Sequence, residues 1–113
     1  MVVEPFVKEL IDSVEYQSLM KPPVTHGMRS GRVYLTPGAD CGLHSTKANE
    51  ELLVFLTGSG VAIIGQQEYE SEVGVGKITY IPPQTPHNIK NTGTEPLVYI
   101  YCVAPTGQSE EVK

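Results

Sequence analysis

Eleven glycines and nine prolines break this 113-residue chain so often that long helices have little room after the first eighteen positions. Helices average about 11–12 residues, and an interior proline removes a backbone donor and clashes with the turn before it. Between the breaks lie short runs rich in Val, Ile, Leu, Tyr and Thr, the residues that suit a pleated, half-buried surface. Strands are expected near Arg32–Thr36, Glu51–Thr57, Val61–Ile64, Gln67–Val73, Ile78–Ile81, His87–Lys90 and Leu97–Val103. Gly65-Gln66 reads as a two-residue type II′ hairpin loop, and Asn91-Thr92-Gly93-Thr94 as a second turn. Many short strands without helices between them imply an all-β fold, an antiparallel sandwich or barrel.

The start of the chain is the exception. From Pro5, Val7, Leu10, Ile11 and Val14 follow the spacing of one helix face, so a short helix or ordered arm is expected over residues 1–18. The barrel is expected over residues 19–106 and a disordered polar tail over 107–113.

Composition narrows the class of function. With 8 Lys+Arg against 13 Asp+Glu the net charge is -5, and the few basic residues are scattered. Such a chain lacks the electrostatic attraction that dominates nucleic-acid binding. The longest apolar run, Leu97 to Ala104, falls well short of the ~20 residues a membrane helix needs. The N-terminus carries neither the basic start nor the apolar stretch of a secretory signal, so a cytoplasmic protein is expected. Cys41 and Cys102 are too few for a disulfide framework and have no Cys-x-x-Cys spacing.

Chemistry has few candidates. There are three histidines, of which His44 and His87 sit among turn residues. Around His44 the chain reads Gly38-Ala39-Asp40-Cys41-Gly42-Leu43-His44-Ser45-Thr46, then Lys47-Ala48-Asn49-Glu50-Glu51, and reaches Gly58. Around His87 it runs from Gly76 to Pro82-Pro83-Gln84-Thr85-Pro86-His87 and on to Asn91. Adjacent strand residues point to opposite faces, so only one of Glu50 and Glu51 can face inward. If it is Glu51, Leu53 and Phe55 line the interior beside it. A carboxylate in that lining is costly unless a cation accompanies it.

These two stretches resemble the paired motifs of the cupin superfamily, G-x5-H-x-H-x3/4-E-x6-G and G-x5-P-x-G-x2-H-x3-N. Gly38, His44, Glu51 and Gly58 fall at the first motif's spacings, and Gly76, Pro82, His87 and Asn91 at the second's. The resemblance implies a small antiparallel β-barrel or jelly roll, commonly a homodimer. It also implies a divalent metal ion (Fe, Mn, Ni or Zn) held by His44, Glu51 and His87. Leu97–Val103 and the N-terminal arm are the expected contact surfaces of a dimer.

Two positions depart from the motifs. Thr46 stands where the second histidine belongs, leaving a two-histidine, one-carboxylate set with positions open for water, dioxygen or a chelating substrate. Gln84 stands where a glycine belongs, which suggests a shifted turn before His87. The expected ligand is a small oxygen-rich molecule, a sugar derivative or hydroxy/keto acid. Metal-dependent isomerase, lyase or non-haem iron dioxygenase chemistry is implied, and the alternative is a non-catalytic small-molecule-binding or sensing cupin with a weakened or absent metal site. The chain ends soon after its last expected strand, which leans the expectation toward an enzyme.

The remaining candidates are weaker. His26 matches no motif position and is expected at a surface or pocket rim. Cys41 reads as a small loop residue, because no second pair completes a zinc set. Arg29 or Arg32 would suit an anionic ligand if either faced inward. Tyr34, Tyr80, Tyr99 and Tyr101 read as barrel packing, one of them offering a hydroxyl to a pocket.

Overall fold

The computed structural model describes residues 3–107, and eight strands carry the fold. They are β1 (Gln17–Met20), β2 (Arg29–Leu35), β3 (Asn49–Thr57), β4 (Ser59–Ile64), β5 (Tyr69–Gly74), β6 (Ile78–Ile81), β7 (His87–Lys90) and β8 (Leu97–Pro105). β1-β2-β8-β3-β6 form one sheet and β5-β4-β7 the other, with every paired neighbour antiparallel. The expected strands all form, most of them longer than the sequence alone suggests. β1 is additional.

Alternation builds the core. Along β3, Glu51, Leu53 and Phe55 are buried while Leu52 between them is exposed. Leu53, Phe55, Ala62, Ile81, Ile89 and Leu97 meet between the sheets. Fully burying one such large aliphatic side chain is worth about 1.5–3 kcal/mol. β8 is covered on both edges by β2 and β3, and its first three residues, Leu97, Val98 and Tyr99, are all buried.

Two motif residues have plain structural work. Gly58 holds φ of 82°, and a Cβ there would lie 2.3 Å from the Pro96 carbonyl oxygen, so no other residue fits. Asn91 donates from Nδ2 to the carbonyls of Leu35 (2.9 Å) and Glu95 (2.8 Å), and its Oδ1 accepts from the Gly93 amide (2.9 Å). It thus ties the end of β7 to the end of β2 and holds the expected turn.

Two turn expectations need correction, and of the two alternatives expected at the N-terminus the arm is the one that forms. Residues 3–16 form no helix. They run as an irregular arm in which the Gln17 side chain donates to the Glu9 carbonyl and accepts from the Ile11 amide, both at 2.9 Å. The helical spacing fails because no surface buries it: Val7 is 95% and Val14 64% exposed, and a single short helix without a packed face is marginal in water. The Gly65-Gln66 loop has four residues rather than two, since Ile64 pairs with Tyr69. The Gly65 amide donates to the Pro86 carbonyl at 2.7 Å, which draws it out of the hairpin ladder, and Glu68 closes the loop at φ 55°. The turn before His87 is not shifted either, because Gln84 itself adopts φ of 58° and its amide donates to the Lys47 carbonyl. The expected tail lies outside the described residues from 108 onward.

Candidate metal centre

The segment after β2 brings the two histidines together. It runs antiparallel to β7 as an irregular extra strand, with Gly38 and Cys41 amides donating to the carbonyls of Asn91 and Ile89, and bridges pairing Asp40 with Lys90 and His44 with His87. His44 and His87 exchange both backbone hydrogen bonds, at 3.0 and 2.8 Å, and their rings lie 4.3 Å apart. Glu51 comes from the opposite sheet, on the inward face of β3 opposite Val103. Glu50 points the other way and accepts a 2.8 Å hydrogen bond from the Tyr80 hydroxyl.

The histidines are oriented alike. Nδ1 of His44 lies 2.8 Å from the Gly42 carbonyl, and Nδ1 of His87 lies 2.9 Å from the Thr85 carbonyl. A carbonyl can only accept, so each ring carries its proton on Nδ1 and presents the Nε2 lone pair to the interior. Nε2 of His87 is 2.9 Å from Oε1 of Glu51, and beyond this approach neither buried atom has a partner. Two lone pairs facing one another in an apolar setting repel unless a proton or a cation lies between them. Ligand atoms of His44, Glu51 and His87 all fall within 4.8 Å of one another, close to the roughly 3–4 Å separations expected when each bond to one ion is about 2.1 Å. The donor set therefore fits a divalent metal ion. Glu51 and His87 are buried, whereas His44 is exposed.

A cavity of about 330 Å³ opens beside the three residues. Val33, Leu53, Ile89 and Val103 supply its apolar walls, and Cys41, Thr46, Tyr99 and Tyr101 complete it. Burial first, then neighbouring hydroxyl or thiol groups and the Glu51 charge, push both tyrosine pKa values well above the usual range. These tyrosines are hydroxyl groups at any physiological pH and do not act as bases. Tyr101 is hydrogen-bonded to Tyr16 of the arm, the two rings lying nearly parallel with centroids 6.5 Å apart. Gly31 makes room for this pair, since a Cβ there would collide with both hydroxyls.

Other candidates fall elsewhere. Thr46 lines the cavity, but its hydroxyl donates to the Asn49 carbonyl at 3.2 Å and holds the loop. Cys41, read from sequence as a mere loop residue, faces the cavity and accepts at Sγ from the Ile89 amide at 3.3 Å. Arg32 is buried on the outer face of β2, where it donates to the Ser13 (3.0 Å) and Glu15 (3.4 Å) carbonyls of the arm. Arg29 is exposed, and neither arginine lines the cavity. His26 lies in a separate groove beneath the arm, beside Phe6 and Met28. Tyr34 lies under Arg32, and Tyr80 is 56% exposed. No helix among the described residues is long and apolar enough to cross a membrane.

Comparison with known proteins places this geometry. A family profile described as "Cupin domain" matches residues 31–103. An uncharacterized protein of Methanocaldococcus jannaschii is 27% identical over 113 residues, spanning 98% of this chain and 87% of its own length. The crystal structure of a cupin protein from Bacteroides fragilis superposes with a TM-score of 0.77 at 22% identity, covering 98% of this chain and 93% of that one, a likeness of fold. The structure of a predicted oxalate decarboxylase from Thermotoga maritima gives a TM-score of 0.64 at 25% identity over 68% of this chain. This chain spans 65% of the length of that protein.

Proposed function

The chain belongs to the cupin domain family, and on that premise we propose that His44, Glu51 and His87 hold a divalent metal ion against which a small oxygen-rich molecule, such as a hydroxy or keto acid, is bound. The observation that carries this reading is the 2.9 Å approach of two otherwise unpartnered, buried acceptors, Glu51 Oε1 and His87 Nε2. When bound, the ion supplies Lewis acidity toward a carbonyl or carboxylate oxygen. The chain's own residues do the rest. Backbone carbonyls of Gly42 and Thr85 fix the imidazole tautomers, Glu51 brings a carboxylate, and apolar walls border the remaining positions.

A second reading, ligand binding without turnover, is favoured by the lining. Apart from the three proposed ligands, the side chains lining the cavity offer only a thiol, a committed threonine hydroxyl and two tyrosines that stay protonated. A proton-shuttling reaction would need a base from the bound molecule itself. The two readings share a first test: elemental analysis of tag-free protein purified without chelator, beside His87→Ala. About one equivalent of metal, lost in the variant, is the expected result. Thr46→His should tighten the site by restoring an imidazole on the cavity wall. A parent that neither carries nor takes up metal would overturn the proposal.

A further inference from the structure

The cavity walls say what kind of molecule fits beside the three ligands. Among the polar side chains that line the cavity outside the triad, Thr46, Cys41 and Tyr101 already have a partner. The Thr46 hydroxyl donates to the Asn49 carbonyl. The Cys41 sulfur accepts from the Ile89 amide at 3.3 Å, and its thiol lies 3.5 Å from Asn88 Oδ1. Tyr101 is held by Tyr16, and because Tyr16 is exposed, that pair stands at the solvent edge of the cavity. One tyrosine proton remains available there. Among the described residues no lysine or arginine lines the walls.

A sugar needs a partner for nearly each hydroxyl it buries, and an unpaired buried hydroxyl costs about 1–3 kcal/mol. Three hydroxyls and a thiol, one of the hydroxyls already donating to backbone, supply few of those partners. Val33, Leu53, Ile89 and Val103 instead offer apolar surface to a ligand body. We infer that the cavity takes a small molecule with an oxygen-chelating head, an uncharged apolar or aromatic body, and at most one polar group toward the Tyr16–Tyr101 edge. This narrows the oxygen-rich class to hydroxy or keto acids with apolar side chains and removes polyhydroxylated sugars. It rests on the metal reading for the head and on the cavity walls for the body.

The test holds the head constant and varies the body. Zn²⁺ is first titrated by calorimetry into chelator-treated parent protein and into His87→Ala, which examines the metal reading alone. Pyruvate, 4-methyl-2-oxopentanoate, phenylpyruvate and 2-ketogluconate are then titrated into the Zn²⁺-loaded parent. Affinity should rise from pyruvate to 4-methyl-2-oxopentanoate and phenylpyruvate, about fourfold per methylene buried, while 2-ketogluconate binds no better than pyruvate. Val33→Thr, which keeps shape and adds a hydroxyl to the wall, should weaken phenylpyruvate severalfold relative to pyruvate. Zn²⁺ binding with equal affinities across the series, or with 2-ketogluconate tightest, would overturn the apolar-body inference and leave the metal centre standing. Failure of Zn²⁺ itself to bind would remove the metal centre and this inference together.

Discussion

At His87 burial and charge act in opposite directions. Burial opposes protonation, but the Glu51 carboxylate and the Thr85 carbonyl outweigh it, so its pKa lies above the ordinary 6.5. A group raised in this way adds stability that is complete below its unfolded pKa and is lost as the pH climbs through the folded value. Chelator-treated protein should therefore unfold at a lower urea concentration at about pH 8 than at about pH 6, the decline beginning just above the ordinary imidazole pKa. In His87→Gln that difference should shrink; equal pH slopes in variant and parent would show that His87 is not the source. Zn²⁺ competes with the same proton, so its stabilising effect should grow over the same rise in pH. The grouping of His44, Glu51 and His87 was legible through the motif resemblance, and Gly58 and Asn91 fit it because each answers a local demand, a left-handed turn or a strand-end tie, that spacing records. Gln84 misled, because it takes the glycine's left-handed backbone at a cost of about 1–2 kcal/mol rather than moving the turn. Cys41, Tyr16 and the inward turn of Tyr99 and Tyr101 were hidden, since they depend on the register of β8 between β2 and β3 and on where the arm lies.

Among the elements, seven strands could be read from alternation and turn residues, and β1 could not. Its Gln17-Ser18-Leu19-Met20 carries no β-branched residue, and only Leu19 is buried. It exists because β2 offers it an edge. The arm before it is likewise placed by tertiary contacts, chiefly the buried Arg32 guanidinium that donates to the Ser13 and Glu15 carbonyls. A hydrogen bond from a charged donor is worth about 1.5–3 kcal/mol, and the second of the two here is long at 3.4 Å, so Arg32→Ala should destabilise the chain by roughly 2–4 kcal/mol in urea unfolding. The more telling readout is local. Amide exchange over residues 8–16 should quicken far more than over β3 and β8, because the arm loses its clamp while the barrel keeps its ladders. Releasing the arm should also part Tyr16 from Tyr101 and open one side of the cavity, seen as a changed tyrosine fluorescence. Uniform exchange across arm and barrel would mean that Arg32 supports the sheet and not the arm.

At the scale of the molecule, the chain is less compact than its length suggests. The radius of gyration is 14.7 Å, against about 13 Å for a compact chain of this size. The arm exposes Phe6, Val7, Leu10, Ile11 and Val14 in one short segment, and β3 and β6 expose Leu52, Ile78 and Tyr80 on their outer face. Single exposed apolar residues are ordinary, but this many on one short segment are what a contact surface would use. A second copy of the chain is the simplest cover, since a two-fold axis lets one apolar arm meet the same arm or sheet face of its partner. We expect a homodimer in light scattering at micromolar concentration. Val7→Glu combined with Val14→Glu should shift it to monomer while the strand signal in circular dichroism stays unchanged. The two carboxylates would be desolvated at the contact, whereas in a monomer both positions are open to water and indifferent to charge. Because Arg32 fixes the arm and Tyr16 reaches from it to the cavity edge, the double variant should also weaken phenylpyruvate binding relative to pyruvate if the dimer holds the arm down. An unchanged ratio alongside clean dissociation would separate assembly from the site, and a parent that is monomeric across the range would remove the arm as an interface.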